Sequence, residues 1–169
     1  NTTTNGAGTW SFDYTTSTLA EGKYVFTAKA QDAASNLSPF STDYEVSIDI
    51  TDPSTPVLAN ISTDSGKSAS DGITSDQTII FDGSAEAGSQ VELFLGAVSI
   101  GTSMTNGSGK WTLNHSGTVL SEGSYTVSTV SMDTAGNTKS AATFSLVIDK
   151  TAPIGTTVAS ISIDNGLSN

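Results

Sequence analysis

Apolar residues alternate with polar ones in short runs along this chain, and Gly-, Asn-, Asp- and Ser-rich turns separate the runs. That is the two-residue period of half-buried strands. Between residues 51 and 150 the pattern predicts seven of them. The first lies near 57–63, where Val57, Ala59 and Ile61 alternate with polar neighbours. The second lies near 77–82, the third near 89–95 with Val91, Leu93 and Leu95 on one face, and the fourth near 97–104. An Asn106-Gly107 turn leads into the fifth, near 109–115, which carries Trp111 and Leu113. The sixth, near 123–132, presents Tyr125, Val127 and Thr129 together; the seventh, near 141–149, turns Phe144, Leu146 and Ile148 toward a core. Proline cannot donate to a strand ladder, so the Asp-x-Thr-x-Pro sequence that follows ends the run. β-Branched residues abound and strong helix formers are sparse, so no helix is predicted.

The pattern repeats. Asn5-Gly6-Ala7-Gly8-Thr9-Trp10 returns as Asn106-Gly107-Ser108-Gly109-Lys110-Trp111. Leu19-Ala20-Glu21-Gly22 with Tyr24 returns as Leu120-Ser121-Glu122-Gly123 with Tyr125, and Asp32-Ala33-Ala34-Ser35-Asn36 as Asp133-Thr134-Ala135-Gly136-Asn137. After a one-residue slip, Ile48-Asp49-Ile50-Thr51-Asp52-Pro53 matches Ile148-Asp149-Lys150-Thr151-Ala152-Pro153, and Ile61-Ser62-Thr63-Asp64-Ser65-Gly66 matches Ile161-Ser162-Ile163-Asp164-Asn165-Gly166. A period of about 100 residues is too long for a solenoid repeat and is the size of an immunoglobulin-like sandwich. The expected fold is therefore all-β, with immunoglobulin-like seven-strand β-sandwich repeats in tandem. Residues 1–50 read as the C-terminal half of one repeat, its last three strands. Residues 51–150 read as a complete repeat, and 151–169 as a linker and the first strand of the next. Trp10 and Trp111 are expected as buried plugs between sheets, and Tyr24 and Tyr125 as corner tyrosines bonded through their hydroxyls. The half repeat needs completing strands, from outside this sequence or from another copy that donates a strand such as 156–163.

Charge narrows the function. With 17 acidic and six basic residues the net charge is −11, which repels phosphate backbones and argues against nucleic-acid binding. No run approaches the ~18 apolar residues of a membrane span, so this segment is not expected to insert. Cysteine is absent, so the inter-sheet disulfide of many secreted sandwiches is missing, which favours a bacterial surface protein. His115 is the sole histidine and has no acidic neighbour. It offers no triad or zinc site, and no enzymatic activity is expected.

The carboxylates remain. In a seven-strand sandwich the second–third and sixth–seventh connections share the end at which the chain arrives. They would bring Glu86, Asp133 and Asn137 beneath the linker residues Asp49, Thr51 and Asp52; Asp32 and Asp149 hold the matching places in neighbouring repeats. Such a group suits a calcium ion, which takes ~6–8 oxygen ligands. A second candidate is the long connection from 64 to 76, with Asp64, Asp71 and Asp76. The plainer reading is that these acids solubilise the surface and that Asp-Gly and Ser-rich sequence makes turns.

These residues resemble the bacterial Ig-like repeats of giant type I-secreted surface adhesins, of the RTX and biofilm-associated kinds. Gly-x-Trp, Leu-x-Glu-Gly-x-Tyr, Asp-Thr-Ala-Gly-Asn and Ile-Asp-Lys-Thr-Ala-Pro carry the resemblance, which spans essentially the whole chain. It implies an extracellular, cell-surface stalk whose partners are neighbouring repeats of the same chain. It also implies calcium stiffening each joint, with Asp49, Glu86 and Asp133 among the ligands at one of them. The alternatives are a module that itself recognises carbohydrate or a host protein, and a spacer attached to a secreted hydrolase.

Overall fold

The computed structural model describes residues 2–157; the strand expected at 156–163 falls almost wholly outside them. Strands β1 (Gly22–Phe26) and β2 (Tyr44–Ile48) form an antiparallel hairpin. Nine more follow: β3 (Val57–Ile61), β4 (Ile73–Thr74), β5 (Ile80–Ser84), β6 (Gln90–Leu95), β7 (Val98–Met104), β8 (Lys110–Asn114), β9 (Gly123–Met132), β10 (Thr138–Ser140) and β11 (Phe144–Ile148). They make two sheets. One runs β3-β5-β8; the other runs β4-β11-β9-β6-β7, with β10 also paired to β9. All these pairings are antiparallel except that of β4 with β11, which is parallel.

The chain does not simply meander. After β3 it leaves the first sheet, crosses to the second as β4, and returns as β5. This switch fills most of the connection expected as a cation-binding loop. Gly72 makes it possible: φ is +73°, and a Cβ there would lie 2.5 Å from both the Phe144 ring and the Ser145 carbonyl oxygen. A bulge between Leu58 and Asn60 in β3 also changes the expected facing. Leu58 packs against the core, while Val57 and Ala59 are exposed.

The core between the sheets comprises Ile61, Ile79, Phe81, Val91, Leu93, Trp111, Leu120, Val127, Leu146 and Ile148. Most were predicted from alternation. At about 1.5–3 kcal/mol for each fully buried large side chain, this cluster dominates the favourable free energy of the sandwich. Trp111 lies over Gly83, its partner in β5. The corner tyrosines are as expected: the Tyr125 hydroxyl donates to the Ser121 carbonyl and that of Tyr24 to the Ala20 carbonyl, each at 3.0 Å.

Residues 2–50 differ from the expectation. Two of the three predicted strands form, but the segment around Trp10 does not, and Trp10 is 55 % exposed against 2 % for Trp111. The reason is physical. Trp111 is buried because β8 pairs with β5 and faces the second sheet, and no counterpart of β5 stands beside Trp10 among the described residues. Phe12, Tyr14 and Phe26 are exposed with it, the Tyr14 ring lying beside those of Phe12 and Phe26.

The loop after β9 shows how sequence sets local geometry. Gly136 adopts φ +95°, and the equivalent Ser35 of the first repeat is held at φ +69°. No neighbour crowds Gly136, so a side chain there costs backbone strain alone. Gly136→Ala should lower the unfolding free energy of the sandwich by about 1 kcal/mol, read from urea denaturation. An unchanged midpoint would refute the strain argument.

Candidate interdomain joint

Residues Asp49–Pro56 connect the β1–β2 hairpin to the sandwich, and both of their faces are engaged. On the upstream side Asp49 Oδ1 accepts the Thr51 N–H at 3.1 Å, and the Thr51 hydroxyl donates to Glu21 Oε2 at 2.7 Å. On the downstream side Pro53 and Pro56 are buried. The Ser54 N–H donates to Glu86 Oε2 at 3.0 Å, and the buried Ser131 hydroxyl donates to the Ser54 carbonyl at 3.2 Å. Asn137 Nδ2 donates to the Asp49 carbonyl at 3.2 Å, and Lys139 Nζ pairs with Asp52 Oδ2 at 3.0 Å. A cleft of about 340 Å³ opens beside the linker, lined in part by Glu21, Lys23, Asp49, Asp52 and Glu86.

Sequence reading did not name Glu21, Ser54, Ser131 or Lys139 among the residues of this joint. Glu21 was legible in principle: its Leu-x-Glu-Gly block recurs, and so does the linker threonine that bonds it. At the far end of the sandwich the same bond is made again, from the Thr151 hydroxyl to Glu122 Oε1 at 2.6 Å, with Asp149 Oδ1 accepting the Thr151 N–H. Lys139 gave no such signal, because serine stands at the corresponding Ser38.

Asp133 lies close to the linker but works within its own loop. Its carboxylate accepts the N–H groups of Ala135 and Asn137 and the side-chain amide of Asn137. The Asn137 side-chain amide above all, helped by the backbone donors and opposed by partial desolvation, holds its pKa below the ordinary 3.8. Asp32, bonded in the same way to Asn36, is lowered as well. A carboxylate depressed on folding stabilises the native state above its unfolded pKa and loses that contribution as pH falls through the folded value. The loop should therefore keep its structure as pH falls past 3.8 and loosen only below it. A carbon-detected NMR titration placing Asp133 at or above 3.8 would contradict this.

The second acidic group is divided among turns of the sheet switch. Asp64 Oδ2 accepts the Gly72 N–H, Asp71 Oδ1 the Ile73 N–H, and Asp76 Oδ1 both the N–H and hydroxyl of Thr78. The Asp76 pKa is lowered, chiefly by the Thr78 N–H.

A calcium cage needs several of these carboxylates converging on one point. Among the described residues no three His, Cys, Asp or Glu side chains gather closely enough to hold a metal ion. At the joint Asp49, Asp52, Glu86, Asp133 and Asn137 each already serve a protein donor or acceptor, as does Asp149 at the next.

No curated protein matches the chain. The family model for the bacterial Ig-like domain matches residues 51–150, the segment that carries both sheets and their shared core. With its all-β architecture and that match, the chain belongs to the bacterial Ig-like domain family.

Proposed function

We propose that this chain is a spacer segment of a large bacterial cell-surface adhesin, extracellular and non-enzymatic, whose tandem repeats hold a distal ligand-binding region away from the cell. The observation that carries this reading is the linker. It is short, its two prolines are buried in the sandwich that follows, and its polar groups bond to residues on both sides. Such a connection fixes one repeat against the next. Repetition of the Asp-x-Thr and Glu contact at Thr51 and Thr151 supports the same design at successive joints.

The reading predicts that three copies of residues 51–150 joined in register scatter X-rays as a rod, with a constant length increment per copy. A length that grows only as the square root of copy number would mark freely jointed beads and overturn it.

A module that recognises carbohydrate or host protein draws on the exposed Trp10, Phe12 and Tyr14. Trp10 corresponds to the core residue Trp111, however, and among the described residues no strand pairs beside it as β5 does beside Trp111. Glycan-array binding by the chain that is lost with Trp10→Ala would favour this second reading.

A further inference from the structure

We infer that the joint between the β1–β2 hairpin and the sandwich is a metal-independent latch, in which the Lys139 ammonium serves as the internal cation and the linker's hydrogen bonds do the rest. The inference rests on the spacer reading above and concerns what makes the joint stiff. The acidity of the joint poses the problem: Glu21, Asp49, Asp52 and Glu86 border one cleft. Unneutralised, such carboxylates repel one another. A divalent ion is one remedy, and the structure contains another. Lys139 is one of only six basic residues in the chain. It stands on β10 and reaches back to Asp52, 87 residues earlier. Lys23, another of the six, lines the same cleft.

The remaining acids are satisfied by neutral donors. Glu86 holds the Ser54 N–H, Glu21 the Thr51 hydroxyl, and Asp49 the Thr51 N–H. Each tethers a linker atom through one carboxylate oxygen, so the protein's own donors position the linker. One exposed ion pair contributes little alone. Here it acts with five hydrogen bonds and two buried prolines spread over eight residues, Asp49 to Pro56, so no single contact has to hold the joint.

The test is amide hydrogen exchange by NMR on the full chain, with millimolar calcium chloride and with EGTA at matched ionic strength. The Ser54 N–H reports the latch directly. It should be protected equally in both buffers, with no saturable calcium shifts at Asp49, Glu86 or Asp133. Glu86→Ala should speed its exchange by about tenfold or more, since the acceptor is charged. Glu86→Gln keeps an acceptor oxygen and should retain most of the protection in either buffer. Lys139→Met should raise exchange at Ser54 while the Val127 amide, deep in the second sheet, stays as slow as before, which separates a loosened joint from an unfolded sandwich. Protection of Ser54 that appears only with calcium and vanishes in Glu86→Gln would overturn the latch and leave the spacer reading standing. An unprotected Ser54 in both buffers would overturn the latch, and a scattering profile of freely jointed beads would then remove the spacer reading as well.

Discussion

Replacing Trp111 by alanine should cost the sandwich about 3–5 kcal/mol, a large part of the roughly 5–15 kcal/mol that holds a domain of this size together. The indole is the largest side chain in the core, and it fills the space between β5, β8 and the second sheet. Its Nε1–H is buried without a hydrogen-bond partner, so the ring contributes by volume and contact and not through its polar atom. Phenylalanine should therefore cost far less than alanine, about 1–2 kcal/mol, because it retains most of the packing and removes an unsatisfied donor. Urea unfolding of the three proteins separates the effects. Equal losses for Phe and Ala would mean that the N–H finds a partner in solution.

Adding a single methyl at Gly83 should be nearly as damaging. A Cβ there would lie 2.2 Å from Cζ2 of Trp111 and 2.1 Å from the Val57 carbonyl oxygen. The first contact is with a side chain that is itself confined; the second is with backbone. Gly83→Ala should thus cost about 3 kcal/mol or more and displace β3, which exceeds ordinary overpacking because neither neighbour can turn aside. The two sites should also be coupled. In the Gly83→Ala background, shrinking Trp111 to leucine should recover part of the loss and not all of it, since the Val57 carbonyl remains in the way. Strict additivity in that double-mutant cycle would show that the ring and the glycine do not meet as described.

The same pair explains what could be read from the sequence. Glycine in the middle of a strand looks like a defect until a tryptophan is found to lie on it, and only the pairing of β5 with β8 brings the two together. Strand positions in the sandwich were legible because β6, β9 and β11 alternate cleanly, with Val91, Leu93, Val127, Leu146 and Ile148 all buried. The excursion to β4 was hidden: two residues paired to a distant strand leave no periodic trace, and the surrounding Ser, Gly and Asp resemble an ordinary loop. β10 has only three residues, all exposed, so hydrophobic pattern could not mark it. Val57 was expected on the core face, but with the bulge in β3 it is exposed and Leu58 packs against the core.

The joint was legible in place but not in chemistry. Repetition of Asp-x-Thr-x-Pro and of Asp-Thr-Ala-Gly-Asn showed where neighbouring repeats meet. Repetition cannot say whether an aspartate faces a cation or its own backbone. Asp133 and Asn137, four residues apart, close a local turn on each other, and that choice depends on the backbone torsions of Ala135 and Gly136.

The parallel pairing of β4 with β11 has a mechanical consequence. The chain arrives at the sandwich through β3 and β4 and departs through β11. A pull on the two ends of the sandwich would draw these adjacent strands in opposite directions along their common axis. The bonds from Val147 N–H to the Gly72 carbonyl, 2.8 Å, and from Asp149 N–H to the Thr74 carbonyl, 2.9 Å, would then be loaded in shear and together, rather than peeled open one after another. A segment only two residues long, invisible in the hydrophobic pattern, is thereby placed where it would share the load of tension along the chain.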